Sequence, residues 1–286
     1  MTYRIITDTG CDFPQAMYEE KGLVVVPLTV TYKGKEYAQY TESWLQEMYA
    51  GLRAGESAST AAVNPEGWAS VIRPVLEAGE DALVLVFSSG LSTTYQSAVI
   101  AAGELMEEYP GRKVNVVDTR CASLGQGLLV HYASRKKAEG MDLEQLTAWC
   151  EENKLHLCHW FTVDDLMYLK RGGRVSAATA LVGTMLQIKP VLHVDNEGHL
   201  INKGKVRGRK ASIDALVKKM QETALPGEND LVYICHGDCW EDARYLEAQV
   251  REKCGAKEVF AYYTGAVIGS HSGPGTLALF FLGEHR

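Results

Sequence analysis

Short apolar runs separated by polar, glycine-bearing turns dominate the first half of the chain. Asp81-Ala-Leu-Val-Leu-Val-Phe87 is apolar at every position after its aspartate. A run of that length and type predicts a strand buried on both faces of a parallel sheet. Residues 3–7, 23–30 and 113–118 read as further strands. Between these runs the apolar spacing turns helical, over 42–52, 65–78, 95–109, a segment reaching Lys137, and 143–152. Pro14 and Pro65 stand where helices would start. Residues 30–37 have the pattern of a hairpin turning at Lys33-Gly34. Residues 55–64, GESASTAAVN, are small and polar and read as a loop.

From about residue 156 the pattern changes. Residues 156–163 are strand-like, and a short helix over 164–169 runs into Lys170-Arg-Gly-Gly-Arg174. Ser176 is placed to cap a helix over 177–188. That segment is almost wholly apolar or small, so it is expected to be buried or to line a cavity, here a long apolar tunnel. Residues 189–194 and 200–206 flank Asp195-Asn-Glu-Gly198 as a hairpin. Helix 211–224, strand 231–236, helix 240–254 and strand 258–263 follow, and an apolar run over 276–282 ends the series. The expected architecture is α/β. An N-terminal domain, 1–155, holds a mainly parallel sheet with helices on both faces; a C-terminal α+β domain, 156–286, is built on antiparallel strands.

The polar stretches carry the candidate chemistry. Phe87 leads into Ser88-Ser-Gly-Leu-Ser-Thr-Thr94 just ahead of a helix. Unpartnered N–H groups and the helix dipole make such a turn favourable for an anion. Simple capping by Ser92 or Thr93 is the plainer alternative. A second hydroxyl pair, Ser59-Thr60, precedes the helix opened by Pro65. In an open parallel sheet both loops would lie at the carboxyl edge of the strands, where ligands bind. His271 sits within GAVIGSHSGPG, residues 265–275, whose glycines predict an irregular backbone making a close approach. Asp8 and Asp12 suit loop-tying roles better than catalysis. Gly125-x-Gly127 lacks the third glycine of a dinucleotide fingerprint, and no Walker-type phosphate loop occurs.

Composition narrows the options. The chain has 286 residues, enough for two ordinary cores, and no apolar run near the ~20 residues of a membrane span. The first residues enter a strand at once, so no signal peptide is expected. A net charge of −7 argues against nucleic acid as a partner. Seven scattered cysteines fit reduced thiols in a cytoplasm. Cys235-His-Gly-Asp-Cys239 reads as a strand end and loop, so no metal is expected there. Lys203-Gly-Lys-Val-Arg-Gly-Arg-Lys210 is a concentrated basic run in an acidic chain. It reads as a solvated loop or as a partner surface built on Arg207 and Arg209.

At TDTGCDFP (7–14), SSGLSTTYQSA (88–98), VDTRCASLGQGLL (117–129), LKRGGRVS (169–176), KVRGRKA (205–211) and GSHSGPGTLALFF (269–281) the chain resembles the DegV family of bacterial fatty-acid-binding proteins. The stretches span nearly the whole chain in the family's order. In the segment 60–64 only Thr60 of the family's Thr-Ser-Gln-Pro-Ser-like loop is kept. The resemblance implies a buried long-chain fatty acid as ligand. Its carboxylate would be held by Thr60 and Ser92, with His271 nearby. It further implies a carrier that presents this carboxylate to a fatty acid kinase for phospholipid synthesis, with no cofactor and with transient membrane contact allowed. The competing class is a serine hydrolase or acyltransferase, using Ser88, Ser89 or Ser92 with His271 and one of Asp8, Asp12 or Asp118. No G-x-S-x-G elbow supports it.

Overall fold

Every position of β6 (Asp81–Val86) is buried, as its continuous apolar character requires. A computed structural model describes residues 2–176 and 187–286. In it β6 pairs in parallel with β1 (Tyr3–Asp8) on one side and with β7 (Val114–Asp118) on the other. β2 (Val24–Val26) adds to the far edge of β1, giving the order β2-β1-β6-β7. The chain thus leaves β1 in one direction and β6 in the other. The loops after these two strands, at their carboxyl ends, flank the crevice where such sheets bind ligands.

Asp8 joins those loops. Its carboxylate accepts from the backbone N–H of Gly10 at 2.9 Å and of Phe87 at 2.8 Å. Gln126 donates to it at 3.3 Å from the first turn of helix Leu124–Ala138. The Gly125-x-Gly127 pair therefore lies inside a helix. A Cβ at Gly125 would stand 2.1 Å from His159 Nε2, and one at Gly127 would stand 2.7 Å from the Phe13 ring. The glycines serve close packing of that helix.

The expected strand over 23–30 is divided. Pro27 lacks an N–H to continue the ladder, and beyond it β3 (Thr29–Tyr32) leaves for a separate antiparallel sheet, ordered β4-β3-β5. β3 turns through Lys33 and Gly34, both at positive φ, into β4 (Lys35–Tyr37), as the hairpin pattern predicts. β5 (Ala58–Ala61) corrects the reading of 55–64 as loop. Small residues without apolar alternation carry no strand signal of their own, and β5 exists because Val30 pairs with Thr60 and Thr31 with Ser59.

The second half forms a six-stranded sheet, ordered β10-β9-β8-β13-β11-β12. Its strands are β8 (Leu157–Thr162), β9 (Ile188–Val194), β10 (Leu200–Arg207), β11 (Leu231–His236), β12 (Glu258–Tyr263) and β13 (Leu277–Leu282). The expected antiparallel pairing holds except between β11 and β12, which are parallel. Helix Trp240–Cys254 between them is long enough for the crossover that a parallel pair needs. The short helix lies at Met167–Arg171 rather than 164–169. The helix expected over 177–188 falls outside the described residues except at its end, where Ile188 instead opens β9.

Strand alternation sorts the core. Leu83 and Leu85 face one way, toward helix Leu124–Ala138 and toward Phe161, Tyr233 and Phe280 of the second sheet. Val84 and Val86 face the other way, onto helices Glu42–Arg53, Pro65–Glu77 and Thr94–Glu108. The outer face of the second sheet packs Trp160, Ile234 and Leu279 against helices Arg209–Thr223 and Trp240–Cys254. One apolar cluster therefore joins the two sheets, and the crevice beyond β1 and β6 opens beside it.

Candidate functional site

Thr60 reaches the crevice from β5. His271 reaches it from helix Ala266–Ser272, and the two meet with Thr60 Oγ1 2.7 Å from His271 Nε2. The irregular backbone expected for 265–275 is in fact this short helix, closed by Gly273 at φ 79°. The close approaches are nonetheless present. A Cβ at Gly269 would meet the Tyr49 hydroxyl at 2.3 Å, and one at Gly172 would meet His271 Nδ1 at 2.3 Å. Burial, with the charge on Arg174 as the lesser cause, pushes the His271 pKa down to about 4. The imidazole is therefore neutral at pH 7, with one nitrogen donating and one accepting.

Ser92 lies in the turn after β6. Its Oγ accepts from the Thr94 N–H at 3.2 Å and stands 2.8 Å from the Thr94 hydroxyl. It caps the helix start and also faces the same cavity as Thr60 and His271. That cavity measures about 380 Å³. Leu28, Phe87, Phe161, Leu169, Val267 and Phe280 supply much of its wall. Thr60, Ser92 and His271 thus line one cavity whose walls are mainly apolar.

Two further polar features were not singled out from the sequence. Arg174 lines the cavity next to His271 and donates to the Leu91 carbonyl through Nε at 3.2 Å and Nη2 at 3.0 Å, and to the Gly172 carbonyl. Among the described residues it has no carboxylate partner. The arginine after two glycines in Lys170-Arg-Gly-Gly-Arg174 was the available signal, but nothing local tied it to residues 88–93. Deeper in the wall lie Ser123, Cys235 and Thr264. Ser123 donates to Asp12, and both Ser123 and Thr264 contact the Cys235 sulfur, at 3.2 Å and 3.1 Å. Burial raises Asp12 to about 7 and the Cys235 thiol to about 12.

The hydrolase constellation is not assembled. Ser88 donates to the Gly198 carbonyl at 2.9 Å, Ser89 to Asp118 at 2.5 Å, and Ser92 is engaged with Thr94. His271 touches Thr60 rather than a serine, Asp8 holds backbone, and Asp12 holds Ser123. Among the described residues no group of three or more His, Cys, Asp or Glu side chains comes together as a metal set.

Of the basic run, Arg207 is exposed at the end of β10, and Lys203 and Lys205 are exposed with it on that edge strand. Arg209 differs. It opens helix Arg209–Thr223 and pairs with Asp242 at 2.8 Å and Asp164 at 3.7 Å, so much of its charge is spent inside the fold. Among the described residues no helix is long and apolar enough to cross a membrane.

Known proteins share the sequence family and the fold. A family model described as "Uncharacterised protein, DegV family" matches residues 2–284. A DegV domain-containing protein of Clostridium perfringens is 42% identical over 99% of this chain and 98% of its own. A Thermus thermophilus structure described as showing fatty acid binding of a DegV family protein superposes with a TM-score of 0.87 at 35% identity, covering 99% of this chain and 100% of that one. A DegV lipid-binding protein from Thermotoga maritima gives a TM-score of 0.86 at 28% identity, covering 100% of both chains. The chain belongs to the DegV family.

Proposed function

We propose that this protein binds one long-chain fatty acid in the cavity beyond β1 and β6 and presents its carboxylate to a fatty acid kinase. The observation that carries this reading is the meeting of Thr60, Ser92 and His271 at one cavity with apolar walls. The fatty-acid-binding description of the Thermus thermophilus structure supports it. A neutral His271 donating from Nε2 to Thr60 Oγ1 leaves the threonine proton free to point at an anion. Ser92 offers a second hydroxyl, and the Arg174 charge favours the ionised carboxyl.

Energetics supports the same division of roles. A palmitate-length chain has about 14 methylenes, and burial at ~0.8 kcal/mol each gives an upper bound near ~11 kcal/mol. Hydrogen bonds from two hydroxyls to a charged group add about 3–6 kcal/mol. The apolar wall supplies most of the affinity, and the hydroxyls fix which end faces out. We read the chain as a carrier without chemistry of its own. In the kinase step a carboxylate oxygen attacks the γ-phosphorus of the kinase's nucleoside triphosphate. The new O–P bond replaces the bond to the bridging oxygen, which leaves on the diphosphate with the electron pair. The exposed Arg207 is the better docking residue of the basic run, because Arg209 is already paired. The seven unpaired cysteines support a reducing, cytoplasmic setting.

Titration of the delipidated chain with palmitate against a fluorescent fatty-acid analogue tests the reading. Saturable displacement at one site per chain is expected. Absence of displacement by any long-chain fatty acid would contradict it.

A further inference from the structure

The mainly apolar cavity has one polar stretch of wall apart from Thr60, Ser92 and His271. Ser123, Cys235 and Thr264 meet there, brought together by three separate parts of the chain. Cys235 belongs to β11, Thr264 follows β12, and Ser123 stands just ahead of helix Leu124–Ala138. All three are buried. Ser123 has one proton, and it goes to Asp12, the shorter of its two contacts. The Thr264 O–H is given to the Cys235 sulfur at 3.1 Å. A hydroxyl has two lone pairs beside its proton, so both oxygens keep acceptor capacity toward the cavity. Ser123 is held at φ 55° and ψ −148°, a backbone conformation that favours glycine, so a hydroxyl is kept here against strain. Ser272 lines the same cavity and is 4% exposed, and its Oγ has no hydrogen-bond partner among the described residues. A saturated chain passing these groups leaves them without partners, and buried polar groups without partners are costly.

We propose that the Ser123–Cys235–Thr264 wall is a subsite for a hydroxyl group on the acyl chain, so that the carrier takes hydroxy fatty acids. The inference rests on the fatty-acid reading above and names a ligand class for that same cavity. A chain hydroxyl has one proton to give and two lone pairs to offer. It donates to the Thr264 or Ser123 oxygen, whose own protons are already committed. Its lone pairs face the Cys235 thiol, which burial keeps protonated by pushing it up to about 12. The free Ser272 O–H adds a donor on the same cavity. A ketone or an alkene has no proton to give, so this wall favours the hydroxyl over either. The carboxylate keeps Thr60 and Ser92, and the two ends of recognition do not compete.

The test uses the full, delipidated chain. It compares stearate with 8-hydroxystearate, 10-hydroxystearate and 12-hydroxystearate by displacement of a fluorescent fatty-acid analogue. In an apolar tunnel that offers no partner, each hydroxyl would weaken binding about tenfold or more. With the subsite present, at least one isomer is expected to bind within about threefold of stearate or more tightly. Thr264→Val keeps the side-chain shape and removes the oxygen. It should lower the affinity of that isomer relative to stearate by about tenfold. Thr264→Ser keeps the oxygen and should retain the wild-type ratio, which separates loss of the acceptor from disturbance of the fold. The hydroxyl subsite is overturned if no isomer comes within about threefold of stearate, if Thr264→Val leaves the ratio within about threefold of wild type, or if Thr264→Ser loses as much as Thr264→Val. In each of these outcomes saturable stearate binding still upholds the carrier reading. Failure of the wild-type chain to bind stearate would overturn both.

Discussion

Thr60 Oγ1 and His271 Nε2 lie 2.7 Å apart although 211 positions separate them in the chain. The contact joins a strand that exists only through its partner β3 to a short helix packed against the same sheet. It also forms part of the wall shared by two spaces, the first mainly apolar and the second with Ser57, Ser59 and Arg171 in its lining. On the proposed reading, affinity and orientation of a ligand with an apolar tail and an anionic head rest on different residues, and mutation is expected to separate the two.

Replacing the hydroxyls should act on the head group alone. Thr60→Ala with Ser92→Ala is expected to weaken fatty-acid binding by about tenfold or more per hydroxyl. The melting temperature should fall only by the equivalent of about 1 kcal/mol, from the Ser92 cap and the His271 contact. Displacement of a fluorescent analogue and thermal melting measure the two effects. Unchanged affinity in the double variant would remove both residues from the site.

Two neighbouring glycines should behave differently. A Cβ at Gly172 would stand 2.3 Å from His271 Nδ1, whereas at Gly173, with φ +75°, it would meet nothing within 4 Å. Gly172→Ala must displace the imidazole or its own loop, at a cost of about 1–3 kcal/mol, and should weaken fatty-acid binding. Gly173→Ala should cost about 1 kcal/mol of backbone strain and leave binding alone. Equal binding by both variants would show that His271 has no part in positioning the ligand.

Acid should destabilise the fold through its buried and half-buried histidines. Burial lowers His131, His193, His236 and His271 from 6.5 to about 4 each. The unfolded chain takes up these protons near pH 6.5 and the folded chain only near pH 4. Stability is therefore fully present above pH 6.5 and is lost as the pH falls through that window. Asp8 and Asp12 have the opposite sign, because burial raises them to about 6 and 7, so the folded chain binds their protons first. The histidines outnumber the carboxylates, and the melting temperature is expected to drop between pH 6.5 and pH 4. Arg174→Gln should raise the His271 pKa in an NMR titration, since the guanidinium is the second cause of its shift.

The basic run should divide into a structural residue and a docking residue. Arg209→Ala removes a half-buried pair with Asp242 and should lower stability by up to about 1 kcal/mol. Arg207→Ala should leave stability and fatty-acid binding unchanged but slow acyl-phosphate formation by the kinase, most strongly at low salt. Wild-type rates for Arg207→Ala across carrier concentrations would move the docking surface elsewhere, first to residues 170–174.

What could be read from the sequence depended on how local its cause was. β6 was legible because burial on both faces leaves a continuous apolar run. The helix over Pro65–Glu77 was legible from its proline, and Asn64 caps it by accepting from Gly67. β5 was not, since Ala58-Ser-Thr-Ala61 is a strand only because β3 pairs with it. The parallel pairing of β12 with β11 likewise follows from where a helix returns the chain, which no residue of β12 encodes. Among the site residues, Thr60, Ser92 and His271 stood in small polar contexts that single them out. Arg174 and Ser123 did not, because their partners, the Leu91 carbonyl and Asp12, lie 83 and 111 positions away.

Native mass spectrometry of the protein purified from cells, followed by denaturing extraction, tests the central claim most directly. The account predicts one intact long-chain fatty acid per chain, released unmodified when the protein unfolds and diminished in the Thr60→Ala, Ser92→Ala double variant. A lipid-free chain that also fails to take up added fatty acid, or a covalent acyl adduct on a serine, would contradict it.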